Sequence, residues 1–403
     1  VAKHVLPRIA DRGAVLLARR NLKMARSAHA YVRGNTVQFY EWLSGLESDR
    51  LPHGPAVWIC GDCHVGNLGP VVDVEGRIRI EIRDLDQTVV GNPAHDLIRL
   101  ALSLASAARG SDLPGVTTAR VLEAIVEGYE AAFADEQVEE PQRPDAVKLV
   151  LGLAAKRRWR HLARERLDDV SPTIPLGKRF WPISEGESVA VRELFDEEPM
   201  QQLATMLRSR EDGAGVRLLD AAYWMKGCSS LGFLRYAVLL DVVGDKRASH
   251  SLCLMDIKEA VAPAAPSYPN ARMPKTNGER VVAGARALSP SLGDRMRSAA
   301  LLERSVFVRE LLPQDLKVEM EQLTVKEAML TARYLATVVG VAHARQMSLD
   351  DRRTWQHELA RHRTKLLDAP SWLWTSVVEL LVNHEGAYLE HCRRYARELD
   401  GSV

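Results

Sequence analysis

No apolar run in the 403 residues approaches the roughly 18 that a membrane helix needs, so no membrane-spanning segment is expected. Neither sign of charge is in excess. Lysine and arginine number 54 against 53 aspartates and glutamates, which argues against a bulk nucleic-acid or membrane-surface binder. Cysteine is scarce: five residues, thinly spread and odd in number, fit reduced thiols better than a disulfide framework. No signal-peptide pattern opens the sequence, and a cytoplasmic location is expected. What is present describes a soluble globular protein, 46% hydrophobic and 27% charged, and long enough to expect two lobes.

The chemistry concentrates in Gly61-Asp62-Cys63-His64-Val65-Gly66-Asn67-Leu68-Gly69, after the apolar run Ala56 to Ile59. Asp84 follows at the end of a strand-like alternation from Arg77 to Ile82, with Asp86 two residues on. Asp62, Asn67 and Asp84 are the residue types that phosphoryl transfer uses. One carboxylate orients an acceptor hydroxyl, while an amide oxygen and a second carboxylate hold Mg²⁺ against nucleotide phosphates. Asp86 is a candidate for a second ion or a bridging water. The same stretch, read as Cys60-x-x-Cys63-His64, fits a haem-attachment pattern, but that chemistry requires export. A redox dithiol lacks a following thioredoxin-like helix start. Two small buried side chains are the simpler reading of the cysteines.

Gly61-Asp62-x-His64-x-Gly66-Asn67 resembles the catalytic loop of aminoglycoside-phosphotransferase-type kinases, and Asp84 with the segment Gly91 to Leu97 resembles their metal-binding stretch. The resemblance implies that His64 and Asp96 brace the loop. The wording Asp84-Leu-Asp86, then Asp96-Leu97-x-Arg99-Leu100-Ala101-x-Ser103, is closer to the bacterial family DUF2252, a likeness running from about Lys23 to Gln346. That likeness names a relative without naming a reaction. Met24 to Gly34 also resembles a segment of this family. Within it Arg33 is read two ways, as a guanidinium aimed at a phosphate or as an anchor paired to a carboxylate.

In chain order, residues 1–50 read as helical, and Val71 to Ile82 as a hairpin turning near Glu75-Gly76. Helices are expected over Asp96 to Ala108, Thr117 to Asp135 and Asp145 to Arg166, and a connector with one short helix over 168–212. The basic cluster Arg157 to His161 reads as a solvated face. Strands are expected over Leu218 to Met225, Phe233 to Val243 and Ser251 to Ile257. Between the first two lies Lys226-Gly227-Cys228-Ser229-Ser230-Leu231-Gly232, a turn able to lay backbone N–H groups over phosphates. Lys258 resembles the third-strand lysine of kinases, which contacts the nucleotide phosphates. Glu279, at the start of a helix to Leu288, is its expected partner, with Glu303 in reserve. Relatives carry glycine where Ser229 stands and glutamine where Ala285 stands. Ser305 to Pro313, including Glu310, reads as a last strand and a kinase-type hinge that would meet adenine. Val325 to Met347 resembles the helix that leads into a kinase catalytic loop, with His343 packed near its end, and Trp355 to Arg397 reads as two closing helices.

Because that loop stands nearly 280 residues earlier, the expected fold class is α+β, a protein-kinase-like two-lobe fold in circularly permuted order. The expected divisions are a helical lobe over 1–212, a strand-rich nucleotide lobe over 213–312, and returning helices over 313–403. The expected function is an ATP- and Mg²⁺-dependent phosphotransferase. Its acceptor would be a hydroxyl, of a small molecule before a protein, and nucleotidyl transfer remains an alternative. Two further readings compete: a nucleotide-binding scaffold without turnover, suggested by Ser229 and Ala285, and a metal-dependent hydrolase using Asp62, His64, Asp84, Asp86 and His95.

Overall fold

A computed structural model describes residues 7–47, 49–110, 115–134, 142–167, 173–210, 214–227, 231–244, 250–316, 324–360, 363 and 369–395. It is a mixed α+β fold. The strands are β1 (Val57–Ile59), β2 (Leu68–Val72), β3 (Ile78–Ile82), β4 (Val89–Gly91), β5 (Phe180–Trp181), β6 (Gly215–Trp224), β7 (Arg235–Val243), β8 (His250–Glu259), β9 (Met296–Leu301) and β10 (Arg304–Leu311). Six form one antiparallel sheet in the order β5-β6-β7-β8-β10-β9, while β1 pairs with β4 and β2 with β3.

The period-two alternation of β7 explains the sheet's two faces. Tyr236, Val238, Leu240 and Val242 enter one apolar cluster, and Ala237 and Leu239 enter another on the opposite face. In β8, Cys253, Met255 and Ile257 join the first cluster and Leu254 the second. Continuing along the second face, the residue types change from apolar to charged: Asp256 and Lys258 on β8, Arg235 on β7 and Arg309 on β10. Register places Arg235 beside Lys258 and Arg309 beside Asp256. One face of one sheet therefore carries core at one end and chemistry at the other.

The first face is covered by helices Glu185–Asp196 and Glu198–Thr205, which contribute Val191, Leu194, Phe195, Met200 and Leu203. Two helices and strand β5 thus occupy the stretch expected to be a connector with one short helix. Pro199 opens the second helix, where its missing N–H costs nothing. This stretch packs with the sheet, so the expected division at residue 212 does not follow the packing.

The remaining helices enclose a separate, larger core. Pro93–Gly110, Gly115–Ala131, Val325–Ala344 and Ser371–Tyr395 contribute Leu97, Leu104, Tyr129, Leu335, Val339 and Val377 to it. Helix Asn277–Leu288 also joins it through Val281, Val282 and Ala285. The helix expected over 145–166 is broken into Asp145–Lys156 and Trp159–Leu167. Arg157 takes an extended backbone, its Nε donates to the Pro313 carbonyl, and the Arg158 N–H is received by the His161 ring at 2.9 Å. Tertiary and capping bonds override the helical periodicity there.

The first long helix, Arg12–Met24, joins the cluster under the sheet to helix Ser371–Tyr395. Leu16 is buried in the cluster under the sheet, and Arg12 pairs with Glu187 at 2.7 Å and lies over Tyr223. Near its other end, the Asn21 carbonyl faces His391 Nε2 at 2.8 Å and the Ala25 carbonyl accepts from Tyr388 at 3.2 Å.

Candidate active site

The loop after β1 is held from beneath by a buried polar chain. Asp96, fully buried in the first turn of helix Pro93–Gly110, accepts from the N–H groups of Cys60 at 2.6 Å and Gly61 at 2.9 Å. His343 Nε2 faces the same carboxylate at 3.1 Å, and its Nδ1 lies 2.9 Å from the Tyr129 hydroxyl. Trp355 Nε1 donates to that hydroxyl at 3.3 Å. The bracing role expected of Asp96 is thus visible, and His343, packed near the helix end as expected, supports it. Gly61 adopts φ +75, and a side chain there would meet the Gln87 carbonyl, so both conformation and space require glycine.

Asp62 projects from this loop with a fixed orientation. Its Oδ1 accepts from Arg99 Nε at 2.8 Å; Arg99 is 1% exposed, also donates to the Val32 carbonyl at 2.7 Å, and lies over the Phe39 ring. Asn67 Nδ2 donates to the Asp62 carbonyl at 3.0 Å, which directs the amide N–H inward and leaves Oδ1 for another partner. His64 does not brace the loop by hydrogen bonding. Its Nε2 is 4.0 Å from Asp62 and its buried Nδ1 has no partner among the described residues. Burial pushes His64 down to about 3 against the opposing pull of Asp62, so the ring is neutral near pH 7. The bond from Val65 N–H to Ser103 Oγ, at 3.0 Å, braces this part of the loop instead.

Asp84 and Asp86 follow β3 and meet Lys258 from β8. Lys258 Nζ hydrogen bonds Asp86 and lies 3.6 Å from Asp84 Oδ1. The two aspartates differ in environment. Burial acts to raise Asp84, but Lys258, then Arg309 and Arg235, outweigh it and hold the carboxyl well below the usual range. Burial and then the Asp84 charge push Asp86 up to about 6, and its buried Oδ1 has no hydrogen-bond partner among the described residues. Arg280 fixes the aspartate loop by donating to the carbonyls of Asp86 at 2.9 Å, Thr88 at 2.5 Å and Val261 at 2.8 Å. On the sheet, Arg235 grips Asp256 with two bonds of 2.8 and 2.5 Å, and Arg309 donates to the Arg83 carbonyl at 2.8 Å.

A cleft of about 600 Å³ gathers Asp62, Asn67, Asp84, Lys258, Gly227 and Arg33, bringing together residues spread over more than half the chain. Several expected contributors stand elsewhere. Glu279 is exposed and caps its own helix, its carboxylate accepting from Thr276 N–H at 3.1 Å, so it is not the partner of Lys258. Glu303 sits exposed at the tip of the β9–β10 hairpin. The Glu310 side chain is 4% exposed and paired to Arg210 by bonds of 2.8 and 2.6 Å, so only its backbone could serve a nucleotide. Gly227 has φ +97, and its carbonyl accepts from Lys23 at 2.8 Å; Gly232 has φ +108. Ser229 and Ser230 lie outside the described residues.

Arg99, Arg280 and the Arg235–Asp256 pair were not singled out from sequence for these roles. For Arg99 a signal existed: three residues past Asp96, it shares that residue's helix face. The others depend on strand register and on contacts between distant segments.

The oxygen donors of Asn67, Asp84 and Asp86 suit a hard cation such as Mg²⁺, and the unpartnered Asp86 Oδ1 is consistent with one. A second group, Cys60, Cys63 and Asp96, also converges. However, Asp96 already holds the loop, and the hydrogen bond to Cys63 together with burial pushes the Cys60 thiol well up, so this set fits a metal poorly. His95, a ligand in the hydrolase reading, packs edge-on against Tyr40 and does not line the cleft.

With loop, lysine and aspartates in one cleft, the chain can be set beside known families. A family profile described as "Uncharacterized protein conserved in bacteria (DUF2252)" matches residues 12–394, and the chain belongs to that family. No curated protein and no solved structure matches the chain.

Proposed function

We propose that this protein is an ATP- and Mg²⁺-dependent phosphotransferase acting on a hydroxyl acceptor, its two lobes arranged as in a protein kinase but with the catalytic-loop half first in the chain. The observation that carries this reading is the meeting of Lys258 with Asp84 and Asp86, the last of them 172 residues away in sequence, in the cleft that also holds Asp62 and Asn67. The permuted order rests on the same juxtaposition, because the loops precede the sheet in the chain and face it in space.

In this reading Asn67 and Asp84, with Asp86 beside them, hold Mg²⁺, which when bound neutralises charge on the nucleotide phosphates. Lys258 exchanges part of its pairing with Asp86 for phosphate oxygens. Asp62, kept in place by Arg99, accepts a hydrogen bond from the acceptor hydroxyl. The acceptor O–H bond breaks as its oxygen joins the γ-phosphorus, the bond to the β–γ bridging oxygen breaks, ADP leaves with that electron pair, and the proton passes to Asp62. Rate enhancement then rests on positioning and electrostatics.

Calorimetric titration of ATP with and without Mg²⁺ tests the proposal. Expected are Mg²⁺-dependent binding to the wild type and a loss of about tenfold or more in affinity for both Asp84→Asn and Lys258→Met. Binding indifferent to Mg²⁺ or to Lys258 would overturn it. Nucleotide binding with no ADP formation for any hydroxyl acceptor would favour a scaffold.

A further inference from the structure

The cleft is far more basic than the chain as a whole. Eight lysines and arginines line it against three aspartates, in a protein whose formal net charge is +1. Much of that charge is committed: Lys258 to Asp84 and Asp86, Arg235 to Asp256, and Arg309 to Asp256 and the Arg83 carbonyl. Arg26 and Arg33, which also line the cleft, are different. Among the described residues neither side chain has an ion pair or hydrogen bond, and the Arg33 Nε is buried without a partner.

Arg33 is also closely seated. Its Nη2 lies 2.9 Å from the point where a Cβ of residue 66 would stand, so Gly66 leaves the space the guanidinium occupies. Arg33 is therefore a cation seated against the catalytic loop with no carboxylate partner among the described residues. Of the two readings of Arg33, the carboxylate anchor has no partner among the described residues.

We infer that the acceptor is itself an anion: a small hydroxyl compound carrying a phosphate group, which Arg33 and Arg26 hold while its hydroxyl points to Asp62. A planar guanidinium matches phosphate oxygens in pairs, and two arginines suit a dianion. Size points the same way, since a cleft of about 600 Å³ that also takes nucleotide phosphates leaves room for a small acceptor only. A neutral sugar or polyol could accept a hydrogen bond from the Arg33 Nε but would leave both guanidinium charges without a counter-charge.

This inference rests on the phosphotransferase reading, and its test separates the two. The protein is first titrated with a non-hydrolysable ATP analogue and Mg²⁺, which decides the nucleotide site alone; no binding at that step overturns both. The loaded protein is then titrated with inorganic phosphate as probe, and in parallel with glycerate. Phosphate is expected to bind the loaded wild type and to bind Arg33→Met and Arg26→Met about tenfold more weakly, while analogue affinity stays level in both variants and so reports that they are folded. Phosphate failing to bind the loaded wild type, or binding both variants as well as the wild type, would overturn the assignment. Glycerate binding more tightly than phosphate would overturn the phosphate class. Turnover gives a last check: glycerol 3-phosphate or glucose 6-phosphate should release ADP faster than glycerol or glucose, and the reverse order would sink the idea.

Discussion

Arg99 is the residue on which the orientation of Asp62 depends. It is 1% exposed and divides its donors between the Asp62 carboxylate and the Val32 carbonyl. Arg99→Met keeps most of the volume and removes both bonds. It should lower turnover by about a hundredfold, because Asp62 then samples unproductive rotamers, and lower stability by about 3 kcal/mol through the carboxylate left without its partner. Steady-state assays and urea unfolding would check both. Nucleotide affinity unchanged with turnover reduced is the expected signature; equal loss of both would point to general disruption. At this scale the sequence carried the residues that meet in the cleft but little of what holds them. Asp62, Asn67, Asp84 and Lys258 could be named from residue type and spacing, whereas the partner of Lys258 could not. Glu279 held the right place by analogy, yet its position at the helix start committed it to capping.

The β9–β10 hairpin shows what limits reading at the scale of the element. Its turn residues, Leu302 and Glu303, have φ of 51 and 61, a conformation that usually draws asparagine and glycine. Neither residue signals a turn, so β9 was not expected while β10 was. The mismatch also predicts an easy gain. Glu303→Gly should raise stability by about 1 kcal/mol by relieving left-handed strain at an exposed tip, measured as an increased urea midpoint with unchanged slope; a lower midpoint would refute it. Strands β6, β7 and β8, with their apolar alternation, were legible to within a few residues. The break at Arg157 was not, because its cause, the Pro313 carbonyl, lies 156 residues away.

Across the molecule, buried neutral histidines tie stability to pH. Burial, aided by Arg99, lowers His384 to about 4, and burial lowers His64 to about 3. Both titrate near 6.5 once unfolded, so between those values the unfolded chain binds more protons than the folded one. Stability is therefore fully present above pH 6.5 and falls as pH drops below it, by about 2 kcal/mol per histidine at pH 5. Urea unfolding at pH 7.5 and 5.0 measures the loss. His384→Leu should flatten the profile by about that amount; a slope unaltered by this change would rule out His384 as a contributor. The fold class was legible at this scale, since helical and strand patterns segregate along the chain. The division at residue 212 was not, because what decides it is the face each helix covers.

The helix Arg12–Met24 has a mechanical consequence. Its 13 residues span about 20 Å; Arg12, Leu16 and Lys23 fasten it to the sheet side along its length, and the Asn21 and Ala25 carbonyls tie its far end to helix Ser371–Tyr395. A rigid rod held along its length on one side and at its end on the other acts as a spacer gauge: it fixes the distance between the sheet and the last helix. Cutting one pin, as in Arg12→Met, should loosen that spacing without touching Asp62, Asp84 or Lys258.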